Sequence, residues 1–97
     1  MTRSTTVGML DEAWALAPPV ALRPEPFGAL AYHFGNRKLT FLKRPELVAA
    51  VRGLAEHPDV RSALVAAGVP EREHGAYAHA LAGLAAADMI RPRGHQA

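Results

Sequence analysis

Hydrophobic positions along this chain change their period near residue 44, and the change divides a strand-forming half from a helix-forming half. Trp14 and Leu16 alternate with alanines, Pro18 and Pro19 interrupt, and residues 20–24 alternate again. That stretch predicts an edge strand, because proline lacks the amide that an inner strand must donate. Pro26, Phe27 and Gly28 make a turn, after which Leu30, Tyr32 and Phe34 share one strand face and Ala29, Ala31 and His33 the other. Gly35, Asn36 and Arg37 close a hairpin to a strand at residues 38–42. There Leu39 and Phe41 face one side while Lys38, Thr40 and Leu42 face the other, and one set must cover the core.

Beyond Arg44 the period becomes helical. Pro45 suits a first turn, and Leu47, Val48, Val51 and Leu54 form one stripe that ends at His57 and Pro58. Asp59 is placed to cap a second, short helix with Val60, Leu64 and Val65 turned inward and Gly68 stopping it. Pro70 begins a third helix, with Glu71 and Glu73 complementing its dipole, that runs to about Asp88 and carries Tyr77, Leu81 and Leu84 on one face. The expected fold is α+β: a three-stranded antiparallel sheet followed by three helices, like a winged helix-turn-helix. Residues 1–11 and 94–97 show no apolar period and are expected to be mobile tails around one domain at residues 12–93.

Composition narrows the chemistry. With 97 residues, 49% of them hydrophobic, one core is the expectation. The lack of cysteine removes disulfides, thiolate nucleophiles and the usual zinc and iron–sulfur ligands, and no cofactor is expected. The polar, Thr-rich start does not read as a secretory signal, so the cytoplasm is the default. The charge-poor residues 75–87 fall short of the roughly 20 apolar positions of a membrane span, and no membrane insertion is expected. Net charge is only +2, but four of the 11 Lys and Arg residues, Arg37, Lys38, Lys43 and Arg44, cluster and favour an acidic partner.

Catalysis is not expected. His74 and His79 are five apart and point in different directions on a helix, and no His-Glu-x-x-His, phosphate loop or nucleophile elbow is present. His33, beside Ala29 and Ala31, reads as a surface or partner-facing side chain rather than a general base. A winged helix-turn-helix DNA-binding regulator is the alternative reading, yet residues 70–90 hold one Lys or Arg, Arg72, flanked by Glu71 and Glu73. A phosphate backbone would be repelled there, so nucleic acid is not the expected partner.

Residues 20–43, VALRPEPFGALAYHFGNRKLTFLK, resemble the strand region of the PqqD-like peptide chaperones, and the run RPEPFGALAY at residues 23–32 is similar to the mycofactocin biosynthesis branch. The resemblance continues through PELVAAVRGL at residues 45–54 and the closing residues 81–90. It implies a RiPP recognition element, which holds the leader of a ribosomally made precursor peptide and presents it to a radical SAM maturase. Some members of that family dimerise by swapping strands; this sequence leaves monomer and homodimer both open.

The physical logic of such binding is independent of the family. An open sheet edge presents unpaired backbone groups that a peptide satisfies by adding a strand. If Lys38, Leu39, Thr40, Phe41 and Leu42 form that edge beside the third helix, one wall of a groove is backbone. The other is expected to carry Tyr77, Ala78, Leu81, Ala82, Leu84 and Ala85. Arg37, Lys38, Lys43 and Arg44 at the strand's ends would hasten capture of an acidic leader. A proline at Thr40 would remove a donor from this edge. Tyr77, Leu81 and Leu84 at helical spacing also fit plain core packing, and edge lysines also guard against aggregation.

Overall fold

The computed structural model describes residues 8–93. Five strands and three helices follow in the order β1 (Trp14–Leu16), β2 (Val20–Glu25), β3 (Gly28–His33), β4 (Leu39–Leu42), α1 (Pro45–Gly53), α2 (Val60–Ala66), α3 (His74–Ala86) and β5 (Ile90–Pro92). The expected antiparallel three-stranded sheet is present in the order β2-β3-β4. The stretch read as a single interrupted edge strand is two strands. Pro18 and Pro19 break the pairing, Val20 N–H closes a turn onto the Ala17 carbonyl, and β1 instead joins β5 in a separate antiparallel pair.

Residues 1–7 and 94–97, most of the two expected tails, lie outside the described residues. Residues 8–11, also assigned to a tail, form a 3-10 turn in which Met9 and Leu10 are buried against the core. Two apolar side chains in one short turn bury enough surface to hold the backbone down.

The core lies between the sheet and the helices. Val20 of β2, Ala29 and Ala31 of β3 and Leu42 of β4 meet Leu47, Ala50 and Val51 of α1, with α2 and α3 behind. The alanine face of β3 is therefore the inner one, which admits close approach of α1, and it carries His33 inward as well. His33 is buried rather than partner-facing, and its Nδ1 accepts the Gly35 and Asn36 backbone amides at 3.0 and 3.1 Å, ordering the β3–β4 turn. Gly28 is required at the start of β3: its φ is +149°, and a Cβ there would lie 2.1 Å from the Leu42 carbonyl oxygen.

Pro45 opens α1 as expected, but the α-helical hydrogen bonding stops at Gly53 and a 3-10 turn, Leu54–Glu56, finishes the segment. The Arg93 guanidinium, just beyond β5, donates to the Ala55 carbonyl at 2.8 Å and to that of His57, tying the closing strand to this end of α1. Val60 and Leu64 of α2 are buried, whereas Val65 is exposed, because it sits about 100° around the helix from Leu64. The third helix begins at His74, after a 3-10 turn over Glu71–Glu73, later than Pro70 promised.

Asp59 caps α2: its carboxylate accepts the Ser62 amide at 2.8 Å, and that bond holds its pKa below the ordinary 3.8. A depressed pKa means stabilisation that is present above the ordinary value and lost as pH falls through the folded one. Asp59→Ala is expected to lower stability to urea at pH 7 by about 1 kcal/mol, with the difference shrinking in melts near pH 3. A loss that persists unchanged in acid would assign the effect to something other than the carboxylate cap.

Candidate functional site

The hydrogen-bond parity of the three-stranded sheet decides what each edge offers. Residues opposite one another in an antiparallel pair exchange backbone bonds at alternate positions only. His33 N–H donates to the Lys38 carbonyl, which in the β3–β4 register makes Ala31–Thr40 and Ala29–Leu42 the bonded pairs. Thr40 and Leu42 thus spend their backbone groups on β3. Leu39 and Phe41 direct theirs away, to the open edge. The proline test imagined at Thr40 would therefore cut the ladder itself, not the edge.

The same argument applied to β2 gives a poorer edge. Phe34 N–H donates to the Pro19 carbonyl, so Ala21, Arg23 and Glu25 bond to β3 while Val20, Leu22 and Pro24 face outward. Val20 N–H is already taken by Ala17, and Pro24 has no N–H. Leu22 is left as a single outward donor, whereas β4 offers two in regular spacing. Of the two edges, β4 presents the more regular row of outward backbone groups.

A groove of about 420 Å³ lies beside that edge. Phe41, Lys43, Arg44 and Leu47 form one wall, and Glu73, Ala76, Tyr77 and Ala80 the other. The second set follows i, i+3, i+4, i+7 and so occupies one stripe across the start of α3. Ala76 and Ala80 keep that wall low. Asn36 helps to fix the spacing of the two walls, since its amide donates to the Ala87 carbonyl at the far end of α3 at 3.2 Å while its Oδ1 accepts Lys38 N–H at 2.9 Å.

Of the residues singled out from the sequence, the structure brings Phe41, Lys43, Arg44 and Tyr77 together around the groove. Leu39 lies on the same edge farther up the strand, with exposed Arg37 and Lys38 at the turn. Leu42 is buried and Thr40 half-buried, both directed at the core. Ala78, Leu81 and Leu84 are buried in the core, and Ala82 and Ala85 are only partly exposed and do not line the groove. The large side chains mark the core stripe of α3. The groove stripe is the adjacent one, and its signal was the pair of alanines at i, i+4. Leu47 and Glu73 were read only as a core residue and a dipole partner.

Among the described residues none of Arg37, Lys38, Lys43 and Arg44 is in an ion pair, so four cations on this side of the molecule are free to meet an acidic group. No group of three or more His, Asp or Glu among the described residues is arranged to hold a metal ion, and no helix among them is long and apolar enough to cross a membrane. The groove provides backbone donors and acceptors, two aromatic rings, small apolar side chains, two cations and one carboxylate. Those are means of holding an extended chain.

Comparison with known proteins agrees with the likeness read in the strand region. The model of the peptide chaperone MftB family matches residues 13–91. A peptide chaperone MftB from Mycobacterium ulcerans is 59% identical over 83 residues, covering 86% of this chain and 76% of that protein. Its namesakes from Mycobacterium tuberculosis and Mycolicibacterium smegmatis are 54% and 55% identical, covering 86% and 84% of this chain and 76% and 80% of theirs. No solved structure matches.

The parity argument predicts that two adjacent prolines behave differently. Thr40→Pro removes a bonded amide of the ladder, leaves the Ala31 carbonyl without its donor and should destabilise the sheet by about 2 kcal/mol or more. Phe41→Pro removes an amide that faces the open edge and should leave thermal stability within about 1 kcal/mol of the parent once the lost ring is matched by a Phe41→Ala control. Equal destabilisation by the two prolines would contradict the register.

Proposed function

This chain belongs to the peptide chaperone MftB family, and we propose that it binds the leader of a ribosomally made precursor peptide as a fourth strand on β4, presenting it to a radical SAM maturase in mycofactocin biosynthesis. The observation that carries the binding mode is the asymmetry of the sheet. The β4 edge turns the backbone groups of Leu39 and Phe41 outward beside a groove walled by α3, while the β2 edge is interrupted by Pro24 and by the Ala17–Val20 turn. The precursor and the maturase come from the resemblance of residues 20–43 to the mycofactocin branch of the PqqD-like chaperones.

An extended leader on this edge exchanges backbone bonds with Leu39 and Phe41, each such bond contributing about 1 kcal/mol net. Its alternate side chains turn into the groove, where the apolar parts of Leu47, Ala76, Tyr77 and Ala80 exclude bulky branched polar groups and accept medium apolar ones. Lys43 and Arg44 favour acidic residues on the strand side, and Glu73 favours a basic or amide group on the helix side. This chain holds and orients the substrate. Bond-making chemistry belongs to the maturase, and DNA is not a ligand in this reading.

Calorimetric titration of the protein with the leader peptide of its own precursor, with a DNA duplex as control, tests the proposal. Saturable one-to-one binding of peptide is expected, lost in Phe41→Pro and undetectable for the duplex. Raising salt from 50 to 500 mM should slow association roughly tenfold with little change in dissociation. No peptide binding, with salt-sensitive binding of the duplex instead, would favour a small transcription factor.

A further inference from the structure

The core face of the sheet is covered by helices; among the described residues no element covers its other face, which is strongly apolar. The five large hydrophobic side chains that stand exposed among the described residues are Phe27, Phe34, Leu39, Phe41 and, on α2, Val65. The first four gather on this outer face. Phe27 stacks edge-on against Phe41, with ring centres 5.7 Å apart, and Tyr32 against Phe34 at 4.9 Å, so two aromatic pairs bracket half-buried Leu30 and exposed Leu39. Phe34, Leu39 and Phe41 are 64%, 56% and 60% exposed. Scattered apolar residues need no explanation, but a contiguous patch on one sheet face marks an interaction surface.

Charge selects the occupant. Residues 26–45 contain no Asp or Glu, while Arg37, Lys38, Lys43 and Arg44 stand around the patch at the turn and at the end of β4. A second copy docked by a two-fold axis would bring this cationic rim against itself, and Glu25, the carboxylate that β2 adds to this face, is already held by Arg23 at 2.9 Å. A different protein, with an apolar patch bordered by carboxylates, is complementary in both respects.

We infer that the outer face of the β2-β3-β4 sheet is the surface on which the maturase docks, adjoining the groove that holds the leader and sharing Phe41, Lys43 and Arg44 with it. The inference rests on the leader-presenting reading above. The two surfaces are continuous, because a strand added to β4 extends the sheet and turns half of its side chains onto this same face. An enzyme seated here touches the carrier and one side of the bound leader together. Phe34 lies past the end of β3, outside the groove and off the β4 edge, and is the residue through which docking can be altered without altering leader binding.

The test measures two affinities for the same variants: leader peptide by calorimetry, and purified maturase by biolayer interferometry in saturating leader. Phe34→Asp should weaken maturase binding by at least about tenfold and Phe34→Ser by a smaller factor, while both keep leader affinity within about twofold and an unchanged circular dichroism spectrum. Maturase binding unaltered in Phe34→Asp would overturn the inference. So would sedimentation showing that the parent dimerises and Phe34→Asp does not, with maturase affinity equal in both. A parent that fails to bind leader at all would instead defeat the reading beneath it, and the two failures are seen in different titrations.

Discussion

An antiparallel strand can give only every other backbone amide to its neighbour, and this structure depends on which ones β4 keeps. With Thr40 and Leu42 bonded to β3, the residues that cover the core are also those that complete the ladder. Leu39 and Phe41, one step out of phase, carry both the free edge and the apolar outer face. A shift of one residue in the hairpin would exchange these roles, placing Leu39 and Phe41 in the core and opening Thr40 and Leu42 to solvent. Register is thus the link between folding and binding here.

Several contacts hold that register. His33 accepts two turn amides, exposed Asn36 accepts the Lys38 amide and reaches the Ala87 carbonyl at the end of α3, and Gly28 lets the start of β3 pass close to the Leu42 carbonyl. The first and last act within the hairpin, and the Asn36–Ala87 bond ties it to the end of α3. The groove consequently has walls set by the fold, which in the proposed mode of binding lowers the ordering cost for a leader.

Much of this was legible in residue patterns. Alternation located β2, β3 and β4, helical spacing located α1 and α3, and Asp59 marked the start of α2. The β1–β5 pair was not legible, since three-residue strands far apart in sequence leave almost no periodic signal and are defined by their pairing. The inner face of β3 was misjudged at His33, because a histidine beside alanines reads as polar surface until its ring nitrogen is seen to bond the turn. On α3 the large side chains drew attention to Tyr77, Leu81 and Leu84, of which only Tyr77 reaches the groove. Small residues that leave space, Ala76 and Ala80, are silent in a hydrophobicity pattern.

The central claim is that the occupied edge is β4 and that the amides engaged are those of alternate residues. Hydrogen exchange of backbone amides by NMR, with and without saturating leader peptide, reads it directly. Slowed exchange at Leu39 and Phe41, with Thr40 already protected in the free protein and Leu22 unaffected, is the predicted result. New protection at Leu22 on β2, or protection of the α3 surface with Leu39 and Phe41 still exchanging freely, would contradict it.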